Sequence, residues 1–372
     1  MPASTCVILV PGFKGSILSA GNRPVWMTLG QALFPGDSLA YDRPDLGVPN
    51  PLTFTDTGVL EQITIVPGLI KTEIFGSTLR AIRASVPKDW DVRAWSFDWR
   101  RDADALVDDL DAYVAAIFKS GVRDVRVVAH SMGGMLTAAW LLRPNAEHGA
   151  AGRVSHVGFV AAAFRGTTKL FRNLQTGDDP AGRNTTLLSA DALGTFPSSY
   201  SFVPDGWPLV IDTHGAPVGS EFRDAALWEG GHWGLFRDGR AQFAAARRGF
   251  LTERFAASRK FLRGIADPGA IAPIGLKVHN ALGTGVGTIN QLIRRNDGTL
   301  VVTEEQRKVD PSLAALTLEA SGDGTIAEHS AELPPGLVAC AVQPTVRVPG
   351  AEHMAVVQRG AGLDATLRFI VS

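Results

Sequence analysis

The chain has 372 residues, 45% of them hydrophobic and 20% charged, with 36 Lys and Arg against 37 Asp and Glu and a net charge of −1. That is enough chain to bury a substantial core in one large domain or two modest ones, and the missing Lys/Arg block argues against nucleic acid as a partner. The two cysteines, Cys6 and Cys340, stand at opposite ends without metal-ligand spacing, which argues against a disulfide framework and a cysteine-held metal.

The opening residues, MPASTCVILVPGF, lack a charged start, a long apolar stretch and a small-residue cleavage site, and no later run approaches the roughly 18 consecutive apolar residues of a membrane span. The expected address is cytoplasmic, with peripheral contact at the inner membrane face. CVILV (6–10) reads as the first buried strand. Residues 19–62, containing PVWMTLGQALFPGDSLAYDRPDLG, are rich in Pro, Gly and aromatics, show no regular sheet pattern and read as an insertion. DVRAWSF (91–97) reads as the second strand. With Asp102 as N-cap, Leu106, Leu110, Tyr113, Val114 and Ile117 recur at steps of three and four until Gly121, which predicts a helix.

DVRVVAH (124–130) predicts a third strand, followed by a helix that starts after Ser131 and ends near Pro144. HVGFVAAA (156–163) predicts a fourth. Residues 167–270 read as a second, larger insertion, in which Phe243, Phe250 and Phe255 lie among charges at helical spacing, a helix expected to pack on the core rather than face lipid. GLKVHNAL (275–282) and TVRV (345–348) supply the last two strands. Runs this rich in Val and Ile suit parallel strands covered on both faces, and their alternation with helices predicts a doubly wound α/β domain over residues 1–372. There is no internal repeat and no low-complexity tract.

The stretch RVVAHSMGGML (126–136) carries the chemistry. Ser131 lies between Ala129 and Gly133, where the nucleophile-elbow pattern asks for glycine at both positions, and it sits between a predicted strand and a predicted helix. The sharp turn requires small side chains two residues either side of the serine, a demand that alanine meets. A serine hydroxyl needs a base, and the base needs a carboxylate to orient it, in the chain order serine, acid, histidine.

Of the late histidines, His353 follows TVRVPGAE, one loop beyond a strand. His279 reads as a core residue, and His329 as one on a solvent-facing helix side. His130 is set aside because neighbouring side chains at an elbow point in different directions. For the acid, Asp323 stands between glycines in SGDGTIAEHS, a pattern that also describes an ordinary turn; Asp310, Glu328 and Glu352 have weaker settings. An oxyanion hole takes two backbone N–H groups. Met132 supplies one, and the other comes from Phe13 in VILVPGFKG or from Leu69 in VPGLIK (66–71).

In VILVPGFKGSIL, VPGLIKTEI, FDWRR, AHSMGG, AAAFRGTT, FPSSYSFVPDG, VHNALGTGV, GDGTIAEHSAEL and PGAEHM, taken in order, the chain resembles the lecithin:cholesterol acyltransferase family, which includes the lysosomal phospholipase/transacylase. The resemblance implies an α/β-hydrolase fold, a mostly parallel sheet with helices on both faces. It places Ser131, Asp323 and His353 on the family's nucleophile, acid and base, and favours Phe13 over Leu69 for the oxyanion amide. It also matches the region around Trp26 to a small membrane-binding subdomain and 167–270 to a cap with a lid. FDWR (97–100) is characteristic too and reads as structural, with Asp98 bonding local backbone. Ala129 departs from the family's usual glycine, and the expected lack of a signal peptide and disulfides departs from its extracellular members.

The expected function is acyl transfer through an acyl-enzyme on Ser131, acting on phospholipids or other long acyl esters, with water as the default acceptor and no metal or organic cofactor. A short-chain ester or lactone hydrolase with the same triad is the alternative. A non-catalytic binding module on the hydrolase fold is a remoter one. The expected partners are a lipid or ester substrate, a membrane surface and a protein that gates the enzyme.

Overall fold

The computed structural model describes the chain except residues 1–2, 35, 67–69, 145–148, 180–183, 205–206 and 219–221. Its centre is a six-stranded parallel sheet of β1 (Thr5–Val10), β2 (Asp91–Ala94), β3 (Asp124–His130), β4 (Val154–Val160), β5 (Lys277–Thr284) and β6 (Val346–Pro349), in the spatial order β6-β5-β4-β3-β1-β2. These are the six runs the sequence picks out. β2 ends at Ala94 rather than Phe97: the Trp95 N–H makes the last bond to β1, at the Leu9 carbonyl (2.9 Å), and the Trp95 and Phe97 rings stack with centroids 4.6 Å apart.

β1 shows why the strands read as unbroken apolar runs. Cys6, Ile8 and Val10 face one buried layer and Val7 and Leu9 the other, so both halves of the two-residue period must be apolar. The layer under Val7 and Leu9 is closed by α1 (Gly76–Ser85) and the C-terminal helix α7 (Gly360–Val371), through Leu79, Ile82, Leu363 and Ile370. The opposite layer is closed by α2 (Ala103–Lys119), α3 (Met132–Leu142) and α5 (Ala244–Ala266). α2 starts where the sequence predicts: the Asp102 side chain caps it by accepting from the Asp104 N–H, and Leu106, Leu110, Val114 and Ile117 are buried.

Outside the sheet lie two groups of shorter elements. The first contains a three-stranded antiparallel sheet of Ser16–Ala20, Arg23–Trp26 and Thr55–Val59. The sequence reading found no sheet pattern there, because four- and five-residue strands with exposed positions are too short for alternation to register. The second group joins β4 to β5 and includes α4 (Thr168–Thr176) and α5. In α5, Phe250 and Phe255 are buried as expected, while Phe243 stands just ahead of the first turn and packs on Gly47 and Arg247.

Arg100 ties both groups to the sheet. Its guanidinium is 2% exposed and takes both carboxylate oxygens of Asp98, at 2.9 Å from Nε and 2.7 Å from Nη2. Nη1 donates to the Leu39 carbonyl at 2.8 Å, and the group lies over the Tyr41 and Phe54 rings. The Arg100 carbonyl accepts the Ser198 N–H at 3.2 Å. A buried guanidinium is tolerable only when paired and hydrogen-bonded in this way. The FDWR stretch is thus a structural knot, with Asp98 also accepting the Arg100 N–H at 3.1 Å.

Candidate active site

Ser131 stands at the C-terminal end of β3 with φ 54° and ψ −120°, a left-handed backbone state that a side-chain-bearing residue rarely adopts. Tight neighbours hold it there. Its N–H donates to the Val160 carbonyl at 3.2 Å, and its carbonyl accepts the Met135 N–H at 3.1 Å. Gly133 is required because a Cβ there would lie 2.4 Å from the carbonyl oxygens of Val10 and Pro11. The constraint on that position therefore comes from the end of β1, not from residue 129 as the sequence pattern suggests. Ala129 is buried in the core layer.

His353 opens the short helix α6 (His353–Gln358) after β6, and Asp323 follows the strand Glu319–Gly322. The structure brings the three predicted side chains into one chain of hydrogen bonds. Ser131 Oγ lies 3.0 Å from His353 Nε2, and His353 Nδ1 lies 2.7 Å from Asp323 Oδ2. With the carboxylate accepting from Nδ1–H, Nε2 is left as the acceptor for the serine O–H. The other Asp323 oxygen, Oδ1, accepts the N–H groups of Thr325 at 3.0 Å and Ile326 at 2.7 Å, so both carboxylate oxygens are held. Gly283, at the end of β5, makes the crossing possible: a Cβ there would sit 2.7 Å from Asp323 Cβ and 2.6 Å from the Ala351 carbonyl.

The competing residues lie elsewhere. Asp310 accepts from Ser312, and Glu328 pairs with Arg347. His279 is buried in β5, its Nδ1 accepting from the Gln343 amide at 2.6 Å. His329 is not on a solvent-facing helix: it sits in a single 3-10 turn, half-buried, edge-on to Trp207 with ring centroids 4.5 Å apart. His130 also departs from expectation. Its ring lies 4.7 Å from that of His353 and its Nε2–H donates to the His353 carbonyl at 3.4 Å. Burial, then the neighbouring His353, push its pKa well below the ordinary histidine value, so it packs as a neutral ring. Only the position of its backbone beside Ser131 was available to signal this.

Beyond its last residue, β1 runs into a turn closed by the Gly15 N–H donating to the Gly12 carbonyl at 2.9 Å, with Lys14 at φ 67°. Gly12 lies against Ser131: a Cβ on it would fall 2.8 Å from Ser131 Cβ. Phe13, next in the turn, and Met132, first in α3, both border Ser131. Among the described residues neither of their N–H groups donates a hydrogen bond. The turn of the rival loop VPGLIK, with Leu69, lies outside the described residues.

A cavity of about 250 Å³ opens onto Ser131 and His353. Phe13, Leu170, Phe202 and Met354 form its apolar wall, and Lys14, Lys169, Asn173 and Asp178 its polar wall. Lys14 pairs with Asp178, which also accepts from Asn173 at 3.1 Å. Burial works against ionisation of Asp178, yet Lys14, Lys169 and Arg172 hold its carboxyl below the ordinary range. Lys169 donates to the Gly324 carbonyl and Thr325 Oγ1; burial, then Lys14 and Arg172, lower its pKa. The sequence reading missed this polar wall, because its members come from two loops and a helix far apart in the chain. Among the described residues no group of three His, Cys, Asp or Glu side chains is arranged to hold a metal ion, and no helix is long and apolar enough to cross a membrane.

Residues 70–222 match the family model described as lecithin:cholesterol acyltransferase, the family the motifs resemble. That segment holds Ser131 and Met132; toward Phe13, Asp323 and His353 the resemblance rests on motifs alone. Among solved structures, the chain is similar to one in the Tle4-Tli4 complex at 13% identity and TM-score 0.58, covering 100% of each chain. It is similar more loosely to lipase BlEst2 of Bacillus licheniformis, at 12% identity and TM-score 0.40 over 100% of this chain and 94% of that one. A carboxylesterase structure from the ammonia-oxidizing thaumarchaeon Nitrososphaera gargenis matches at 11% identity and TM-score 0.35, over 98% and 89%. No curated protein matches the chain. The sheet order and the first of these likenesses give the α/β-hydrolase fold.

Proposed function

We propose that this chain is a serine hydrolase of acyl esters, acting through an acyl-enzyme on Ser131, with lipid esters as its substrates. The observation that carries the reading is the unbroken path from Ser131 Oγ through His353 to Asp323 at the mouth of a cavity. In the proposed reaction Ser131 Oγ attacks the ester carbonyl while His353 Nε2 takes its proton. Asp323 keeps the imidazole in the productive tautomer and balances the imidazolium charge. The N–H groups of Phe13 and Met132, which among the described residues have no acceptor to give up, meet the developing oxyanion. The imidazolium then protonates the leaving alcohol, and water or an acceptor alcohol, activated by the same histidine, releases the acyl group.

The lipid reading is supported by the family match over residues 70–222, by the aromatic wall of the cavity, and by Phe34, 66% exposed in the region 19–62. We place membrane contact at that region and the acyl chain beneath 167–270. One observation favours a second reading: a cavity of about 250 Å³ is small beside the roughly 300–1,000 Å³ usual for ligand pockets, which suits a short-chain ester or lactone.

Hydrolysis rates across a series of acyl lengths, with and without phospholipid vesicles, separate the two. A rate that peaks on vesicle-borne long chains supports the lipid reading, and a preference for soluble short esters defeats it. Labelling by a fluorophosphonate tests the nucleophile itself: a Ser131→Ala variant that labels as well as the parent removes the enzyme reading at this site.

A further inference from the structure

A second cleft, about 630 Å³, shares no lining residue with the Ser131 cavity. Its walls are the turn at Gly230–Trp233, the far end of α4 at Gln175 and Thr176, and the hairpin formed by Leu292–Arg294 and Leu300–Val301. The charges around it are unevenly matched. Strand pairing sets Asp212 beside Arg294, the position from which a carboxylate ordinarily neutralises a cross-strand cation. Asp212 instead uses Oδ1 to accept the N–H groups of His214 at 2.8 Å and Ala216 at 2.9 Å.

Asp297 lines the cleft too, and its Oδ1 accepts from Thr299 N–H at 2.9 Å and Thr299 Oγ1 at 2.7 Å. Arg237, also in the wall, is satisfied by Asp191 at 2.8 Å and the Gly234 carbonyl at 3.0 Å. Arg294 is left over. Its Nε is buried with no acceptor, and among the described residues the guanidinium forms no ion pair. Trp233, 2% exposed, adds an indole N–H that is likewise buried without an acceptor.

Two buried donors among the residues lining one cleft, one of them charged, run against the rule that buried polar groups find partners. An oxyanion supplies what both lack, and a guanidinium grips phosphate or carboxylate through two parallel N–H bonds. We propose that this cleft is a binding site for an oxyanion-bearing ligand, with Arg294 as its anchor and the Trp233 N–H as a further donor. It lies at the C-terminal end of α4, the helix that also walls the Ser131 cavity through Lys169 and Asn173.

Inorganic phosphate is the probe, titrated calorimetrically into the full chain in a chloride buffer. The expected result is one-to-one binding that Arg294→Gln weakens at least about tenfold, that Arg294→Lys keeps in part, and that Ser131→Ala leaves unchanged. A parallel arm measures capture by phosphatidylcholine vesicles with and without phosphatidic acid. Phosphate binding lost in Arg294→Gln assigns the site to a free anion, and vesicle capture lost in that variant assigns it to a lipid headgroup. The proposal is overturned by phosphate binding that Arg294→Gln leaves intact, or by wild-type protein that takes up neither probe. Unfolding temperatures without phosphate check that the variant folds. Should it not fold, Trp233→Phe, which deletes the N–H alone, is expected to weaken phosphate binding several-fold, and equal binding by that variant overturns the proposal.

Discussion

Asp323 holds His353 at two points: its backbone carbonyl accepts the His353 N–H at 2.9 Å, and its carboxylate accepts from the imidazole Nδ1 at 2.7 Å. The main-chain tether survives a change of side chain. Asp323→Asn is therefore expected to leave the imidazole in place but in the wrong tautomer, with kcat for ester hydrolysis falling about 10⁴-fold while the unfolding temperature moves little. Ser131→Ala and His353→Ala are expected to lose on the order of 10⁴ to 10⁶ in kcat, and combining them should cost scarcely more than either alone. Full additivity of the two would show that these side chains do not act as a unit.

Gly12 gives a sharper test of the serine's seat. Gly12→Ala places a Cβ 2.8 Å from Ser131 Cβ, so Ser131 must shift. The expected cost is roughly 10²-fold in kcat, since a displacement of about 1 Å loses that much. Gly133→Ala meets fixed carbonyl oxygens at 2.4 Å and is expected to destabilise the fold by about 1–3 kcal/mol or more, read by urea unfolding. Ala129→Gly should keep its activity.

The buried pair of Asp98 and Arg100 predicts a stability effect without a chemical one. Removing either partner leaves an uncompensated charge in the core, so Asp98→Ala or Arg100→Ala is expected to cost about 3–5 kcal/mol. Fluorophosphonate labelling of the folded fraction should be kept. Labelling lost at unchanged stability would mean that Asp98 acts in the reaction.

Three buried histidines set an acid limit. Burial, then nearby cations, lower the pKa of His156 to about 4, burial and Arg368 do the same for His279, and His130 is pushed down as well. Each binds its proton more weakly when folded than when unfolded, so below the unfolded value the unfolded state takes up more protons. Their contribution to stability is complete above about pH 6.5 and is lost as the pH falls from there toward 4. The unfolding temperature should drop across that window, and His279→Gln should flatten the slope. A flat profile between pH 6.5 and 4 would contradict the assignment.

What the sequence revealed and what it hid divide along physical lines. Runs such as Cys6–Val10 are legible because burial on both faces demands apolar side chains on both, and α2 is legible because one buried face imposes its period. Ser131, Asp323 and His353 stand out because an elbow and a chain order narrow the choice. His130 against His353, Gly283 beneath the acid loop, and Lys14 paired with Asp178 are contacts between residues 223, 40 and 164 positions apart or set by a crossing of loops, and nothing local records them. The three-stranded sheet near the N-terminus was hidden for another reason: its strands are too brief to show a period.

The knot at Arg100 bears on how such an enzyme diversifies. Because a single side chain fastens Leu39 and Tyr41 from one insertion and its carbonyl takes Ser198 from the other, the two extra segments share a foundation. Transplanting the first segment alone from another hydrolase would strip the guanidinium of Leu39 and Tyr41, and transplanting the second alone would leave the Arg100 carbonyl without the Ser198 N–H. New substrate range in this scaffold is more readily reached by exchanging both segments together, or by altering side chains within them, than by swapping one.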